Sequence, residues 1–236
     1  MSATFADLVR CTWSVDGDGA AHALVPDACV DVVWRSDGTV HVCGPETTGW
    51  SYSLPVGERA VGVRLEPGAA PAVLGVHAST IAEQRVAMAD LWGSRVGRVL
   101  AERATEGDPL AVLTEALRSR ASGDVDDVAL HVRSLAATGD LSVASAAREV
   151  AMSERQLRRR CTRAFGYGPA TLARILRVQR FLAAARASGR STSLVELALR
   201  AGYSDQPHAS RDVKAIARIT PAEVVRSVQD GEIAPG

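Results

Sequence analysis

The residues with the most evident chemistry lie in two stretches of the C-terminal half. Residues 141–168 read LSVASAAREVAMSERQLRRRCTRAFGYG, and residues 194–220 read LVELALRAGYSDQPHASRDVKAIARIT. Each starts with a short helical run around a small residue, Ala147 or Ala198. A tight-turn pair follows, Ala151-Met152 or Gly202-Tyr203, and then a serine at a helix-capping position, Ser153 or Ser204. A second helix with polar residues in its first turn completes each unit. This is the layout of a helix-turn-helix. A serine cap also leaves backbone N–H groups at the helix start able to meet a phosphate.

In the first unit Leu157 and Phe165 are apolar anchors. With these turned inward, Arg155, Gln156, Arg159 and Arg163 fall on or near one outer face, with Arg158 and Thr162 beside them. The arginine fork suits guanine edges and phosphates, and glutamine suits adenine. The second unit offers Ser204, Asp205, Gln206, His208, Ser210, Arg211 and Lys214. The plainer reading of one such helix is a solvated arginine-rich face, but two units in tandem weigh against it.

Charge placement agrees. Residues 1–123 hold 10 arginines against 15 acids, whereas residues 141–226 hold 16 basic residues against 6 acids. An acidic module joined to a basic one is a common footprint of a regulatory part and a nucleic-acid-binding part. The net charge of zero over 236 residues hides this division. That length suits two modest domains. Aromatic residues make up only 4%, so the cores must rest on Ala, Val and Leu. Four cysteines without a CxxC pair, no leader pattern and no long apolar run imply a cytoplasmic protein with reduced thiols and no membrane partner.

The elements that position these residues are legible from pattern. Residues 28–34, 39–43, 50–54 and 60–65 read as strands, and Arg35-Ser36-Asp37-Gly38 reads as a hairpin turn. Residues 69–75 have helical character. Residues 94–105, with Val96, Val99 and Leu100, and residues 109–120, with Leu110, Leu113 and Leu117, read as a helical pair. The second stripe packs in a core or forms a homodimer seam. Residues 121–124 look like a linker. Helices are expected near 125–138, 142–151, 153–165, 169–188, 193–201, 204–217 and 221–229, punctuated by Gly139, Gly166, Gly189 and Gly202. Ser193-x-x-Glu196 reads as a capping box. The fold class expected is α+β: a small N-terminal β-barrel, a helical connector, then an all-α domain with two helix-turn-helix units. The boundaries expected are 1–90, 91–123, 124–230 and a tail at 231–236.

These residues resemble a known family. Region 124–230 is similar to the DNA-binding domain of AraC/XylS-type transcriptional regulators. The most specific part is Ala201-Gly202-Tyr203-Ser204-Asp205-Gln206-Pro207-His208 followed by Ser210-Arg211, with Thr220-Pro221 at the end. Ser153, Leu157, Arg159, Phe165, Gly166 and Pro169 also match. Ala209 and Val213 stand where the family has aromatic residues, Cys161 where it has Phe, and Arg218 where it has Gly. The resemblance implies two recognition helices joined by one long helix and set about 34 Å apart, one DNA turn. Its departures imply a looser second unit that mostly grips phosphate. The N-terminal half is similar to an uncharacterised cupin-like sensory region found ahead of such domains. The residues carrying this are Val25-Pro26-Asp27, Cys29, Asp31, Gly44-Pro45, Gly62-Val63-Arg64, Pro67-Gly68 and Leu91-Trp92-Gly93. It implies a small-molecule effector domain of unstated ligand.

Trp13, Trp34, Trp50, Tyr52 and Arg64 are candidates for lining an effector pocket, and Asp27 and Asp31 for polar contacts there or for a buried ion pair. A second reading is a metal or thiol sensor with weakened DNA binding, built on Cys29, Cys43, His41, His22 and His77, although their spacing is not a zinc signature. No nucleophile–base arrangement or phosphate loop is present, so the chain reads as a non-enzyme without a cofactor. Its expected partners are double-stranded DNA, a small-molecule effector and, from the stripe at Leu110, Leu113 and Leu117, a second copy.

Overall fold

The computed structural model describes residues 3–188 and 192–229. The expected helix-ending Gly189, the last residue of the expected 124–230 domain and the 231–236 tail lie outside the described residues. The N-terminal part opens with α1 (Phe5–Leu8) and β1 (Val9–Asp16), followed by β2 (Ala21–Leu24), β3 (Val30–Arg35) and β4 (Val40–Cys43). β5 (Trp50–Ser53), β6 (Arg59–Leu65), α2 (Ala70–Leu74), a 3-10 turn at Ala78–Thr80 and β7 (Arg85–Ala87) complete it. The Asp-Gly hairpin between β3 and β4 forms as read. Gly38 takes a φ of +83°, its N–H donates to the Arg35 carbonyl, and Asp37 accepts from Thr39.

The strands do not close into the expected barrel. They form an antiparallel five-stranded sheet in the order β1-β6-β3-β4-β7 and a separate two-stranded ribbon, β2-β5. β1 and β7 remain as edges. The physical reason lies in the ribbon: β2 and β5 satisfy each other, so neither bridges the two sheet edges. Strands β1, β2 and β7 escape the sequence reading because they are short or largely exposed, without a clean apolar alternation.

One sheet face is closed by helices. Val30, Val32 and Trp34 of β3 and Val61, Val63 and Leu65 of β6 pack against α2, α4 (Ser94–Glu106) and α5 (Pro109–Arg120). α3 (Met88–Trp92) joins β7 to α4. Asp108 caps α5 by accepting from the Leu110 N–H, and Pro109 occupies the first turn, where no N–H is missed. Leu113 and Leu117 are fully buried in this core, so the stripe is spent on the sheet. In α4 only Leu100 of the three expected apolar positions is buried; Val96 and Val99 are exposed. The buried face runs instead through Gly97, Leu100 and Ala104. The stretch read as a linker is pinned to the N-terminal part, since the Ser122 N–H donates to the Ala72 carbonyl.

The C-terminal part is helical as expected: α6 (Asp127–Thr138), α7 (Val143–Glu149), α8 (Glu154–Phe165), α9 (Pro169–Arg186), α10 (Leu194–Arg200), α11 (Gln206–Ala217) and α12 (Pro221–Gln229). Leu172, Ile175, Val178, Phe181, Leu182 and Ala185 of α9 form the spine against which the other helices pack. Ala209, Val213 and Cys161, smaller than the family's aromatics, are all buried, so the core closes over them. Of the expected capping box at Ser193, only the serine's half forms, because Glu196 pairs with Arg200. The N-cap of α11 is Asp205 rather than Ser204, accepting from the His208 N–H.

α11 ends on Arg218, which is exposed and adopts the left-handed conformation at φ +65°. A side chain there costs about 1–2 kcal/mol, which glycine avoids. Arg218→Gly is therefore expected to raise stability by about 1 kcal/mol, seen as a melting temperature about 2–4 °C higher.

A candidate nucleic-acid interface and the cleft behind it

The first helix-turn-helix is α7, a turn through Ala151 at φ +52°, and α8. Ser153 and Gln156 form a full capping box: the serine hydroxyl accepts from the Gln156 N–H, and the Gln156 side-chain Oε1 accepts from the Ser153 N–H. Gln156 is thus partly committed to the cap rather than freely displayed. Leu157, Cys161, Ala164 and Phe165 face the core. Arg155, Arg158, Arg159 and Arg163 are exposed and make no ion pair among the described residues, whereas Arg160 is held by Asp126. Thr162 is half-buried and its hydroxyl donates to the Arg158 carbonyl. Among the described residues, the outer face of α8 therefore carries four guanidiniums without an ion-pair partner.

The second unit is α10, a turn through Gly202 at φ +83°, and α11. Ser204, Asp205, Arg211 and Lys214 are exposed, and Gln206, His208 and Ser210 are half-buried. His208 stacks edge-on against Tyr203 with ring centroids 5.1 Å apart. It also approaches Asp212, a buried carboxylate that accepts from Arg174 of α9 at 2.9 Å. Sequence reading missed this Asp212–Arg174 pair, which ties α11 to the long helix. Arg174 and Asp212 lie 38 residues apart, so no local signal marked the pair.

Both units touch the N-terminal part along one seam. Gln179 of α9 donates its amide to the carbonyls of Val25 and Pro26, at 3.3 and 2.8 Å. Arg133 of α6 reaches Glu66 and the Pro67 carbonyl. The end of α8 lies on the Ala78–Thr80 turn and on Gly68, where a Cβ would stand 2.9 Å from the Phe165 ring. The Gly49 N–H donates to the Ile216 carbonyl at the end of α11. The exposed N-terminal part of α8 is left outward. None of the seam glycines was singled out from sequence as a packing point.

Behind the seam lies a cleft of about 60 Å³, bounded by Leu24, Val25, Pro26, Asp27, Cys29, Asp31, Cys43, Gly44, Glu46, Trp50, Arg64 and Arg85. Of the five residues expected there, it contains Trp50 and Arg64. Trp34 is not part of it. It alternates with Asp31 along β3, so it points to the opposite, helix-covered face, where its indole donates to Thr105. The Trp13 ring lies across Gly62, and its indole donates to Asp31 from outside. Tyr52 packs against His22 and Trp50 on the ribbon. Among the described residues no group of His, Cys, Asp and Glu is arranged to hold a metal ion.

The cleft's charges are mutually committed. Arg64 closes its fork on Asp31 at 3.0 Å and reaches Asp27 at 3.1 Å. Burial raises the Asp31 carboxyl, and Arg64 and Trp13 only partly oppose it. Burial also lifts the Cys29 thiol and pushes Cys43 up to about 11, so both stay neutral. Glu46 is raised to about 7 by burial and by its hydrogen bond with Glu83, against the pull of Arg85. Arg85 pairs with Glu46 and lies 3.7 Å from the centre of the Trp50 ring.

Comparisons with known proteins fit this geometry. Residues 146–227 match the family described as a helix-turn-helix domain, and residues 2–87 match a domain of unknown function, DUF6597. No curated protein matches the chain. Among solved structures, an AraC-type regulator from Chromobacterium violaceum is 28% identical, over 43% of this chain and 92% of that one, with a TM-score of 0.38. A probable AraC family regulator from Rhodopseudomonas palustris CGA009 is 19% identical, over 44% of this chain and 99% of that one, with a TM-score of 0.38. ToxT from Vibrio cholerae O395 is 11% identical, over 92% of this chain and 96% of that one, with a TM-score of 0.48. The class shown for the C-terminal part is that of the helix-turn-helix domains. This chain joins a DUF6597 domain to it. Among the described residues no helix is long and apolar enough to cross a membrane.

Two measurements test the seam and the cleft. Gly166, at φ +86°, has Pro45 Cγ 2.8 Å and Ala82 Cβ 3.1 Å from where a Cβ would sit. Gly166→Ala is expected to cost about 1–3 kcal/mol and to open the seam to proteolysis. Because Glu46 binds its proton more tightly folded than at its ordinary 4.5, its contribution is full in acid and lost as pH rises through about 7. Melting temperature should therefore fall between pH 5.5 and 8, and Glu46→Gln should flatten that fall.

Proposed function

We propose that the protein is an effector-responsive, sequence-specific regulator whose α8 and α11 enter successive major grooves of one DNA duplex. The observation that carries this is the outer face of α8, where Arg155, Arg158, Arg159 and Arg163 stand exposed without acidic partners among the described residues. Four unpaired guanidiniums on one capped helix repel each other unless an anion faces them. Eighteen residues of α9 span about 27 Å at 1.5 Å per residue, a length that suits two helices set about one DNA turn apart. Arg155, Arg159 and Arg163 read or grip the duplex, with Ser153, Gln156, Arg158 and Thr162 at their edges. In the second unit Ser204, Asp205, Gln206, His208, Ser210, Arg211 and Lys214 face the neighbouring groove. There Arg211 and Lys214 hold phosphate.

On this reading residues 1–90 sense, 91–123 connect and 124–230 bind DNA. The effector sits in the cleft beside Trp50 and Arg64, and its signal crosses the seam through Gly49 and Gln179. The protein works in the cytoplasm, without catalysis. One protomer carries both recognition helices, and Leu113 and Leu117 are not available as a dimer seam. The metal or thiol-sensor alternative finds no support in the cleft, whose two thiols are held neutral.

Footprinting on selected DNA should give protection over two adjacent major grooves. Arg155→Ala and Arg159→Ala should each weaken binding by about 1–3 kcal/mol. Loss of base preference would mark a base contact, and a shallower salt dependence a phosphate contact. Unchanged binding in both variants would remove this face from the interface.

A further inference from the structure

Resting on the reading of the N-terminal domain as the sensor, we propose that its cleft takes a small organic cation. The head would be a primary ammonium or amidinium group, seated on the Trp50 face against Glu46 in place of the Arg85 guanidinium.

Above pH 7, where Glu46 is ionised, the charge balance of the walls favours a cation over an anion. Asp27, Asp31 and Glu46 supply three carboxylates, and Arg64 and Arg85 two guanidiniums. Glu83 stands behind Glu46 and is kept ionised: burial works against its charge, but Glu46, the Thr47 hydroxyl and the Thr47 N–H outweigh it. Arg64 is the cation an anionic ligand would need, and it is already shared between Asp27 and Asp31. An incoming carboxylate would meet the like charge of Asp27 and Asp31, which already hold Arg64.

The cation site is built and already occupied by a tethered stand-in. An aromatic face with a carboxylate at its edge is the standard receptor for an organic cation. Here Arg85 fills it, 3.7 Å from the Trp50 ring centre and paired with Glu46. The two halves of that pair are unequal. The Glu46 side chain is 13% exposed and that of Arg85 is 35% exposed. Arg85 also belongs to a three-residue edge strand paired with β4 alone. The guanidinium is the more exposed half, and so the half that can leave. With Arg85 in place the cleft has room for about two water molecules. Its departure adds the space of a guanidinium, bordered by the apolar groups of Leu24, Val25 and Pro26.

The site also adjoins two of the seam contacts. Val25 and Pro26 present the carbonyls that hold Gln179, and the segment from Glu46 runs through Thr47 to Gly49 and Ile216. A cation that reseats Glu46 and Trp50 acts at the two ends of that segment.

The test is titration calorimetry of the full chain at pH 8 with butylamine, agmatine and octanoate. One or both amines should bind and octanoate should not. Glu46→Gln and Trp50→Leu, each checked for native circular dichroism, should weaken amine binding roughly tenfold. Arg85→Ala should strengthen it, because the competing internal cation is gone. Amine affinity should rise with pH through about 7, as Glu46 ionises among Glu83, Arg85, Asp27, Asp31 and Arg64. Octanoate binding in preference to the amines overturns the proposal. So does weaker amine binding in Arg85→Ala, or no amine binding to either that variant or the parent chain. DNA binding is measured in parallel without ligand. Salt-dependent DNA binding with no amine response defeats the ligand class alone, whereas failure to bind DNA defeats the regulator reading.

Discussion

Everything in this molecule depends on the contact between the sheet domain and the helical domain. A helix-turn-helix pair on a long helix is a complete fold, yet here α8 and α11, the second helices of its two units, both end on the same neighbour. Phe165 and Gly166 close α8 against Gly68, Pro45 and the Ala78–Thr80 turn. Ile216 closes α11 against Gly49. Gln179 fixes the middle of α9. Three attachment points on one surface define the relative placement of the two helices more tightly than α9 alone could. Any shift of the sheet domain is felt as a change in that placement.

The cleft is arranged in keeping with this. Its floor is a closed set of charges, Arg64 between Asp27 and Asp31, which burial would make costly if any member were removed. Its mouth is the looser set, Glu46, Glu83 and Arg85 around Trp50. The division is physical: the floor sits on the central strands β3 and β6, and the mouth on the loop after β4 and the edge strand β7. A rigid floor and a responsive mouth lie within one small cavity.

Much of the helical domain was legible because its signals are local. Ser153 with Gln156, Pro169 at the start of α9 and Gly166 at the end of α8 mark helix ends without reference to anything distant. The spare arginines of α8 were legible for the same reason. The sheet domain was legible only where alternation was clean, as in β3. β1 was missed because its residues are mostly exposed, and a closed barrel was expected because sequence gives strand number but not strand partner. The same limit applies to the site. Trp34 has the right chemistry for a pocket, but one residue of register puts it on the other face. Gly49, Gly68, Gln179 and Asp212 act through residues far away in the chain, so nothing near them announces their role.

Several of the seam's polar links end on main-chain atoms: the carbonyls of Val25, Pro26 and Pro67, and the Gly49 N–H with the Ile216 carbonyl. Main-chain atoms are the same whatever side chain is attached. The lining of the cleft can thus be rewritten by mutation, residue after residue, while the linkage to α6, α9 and α11 keeps its bonds. Receptors wired in this way can diverge in what they detect without having to reinvent how they report it.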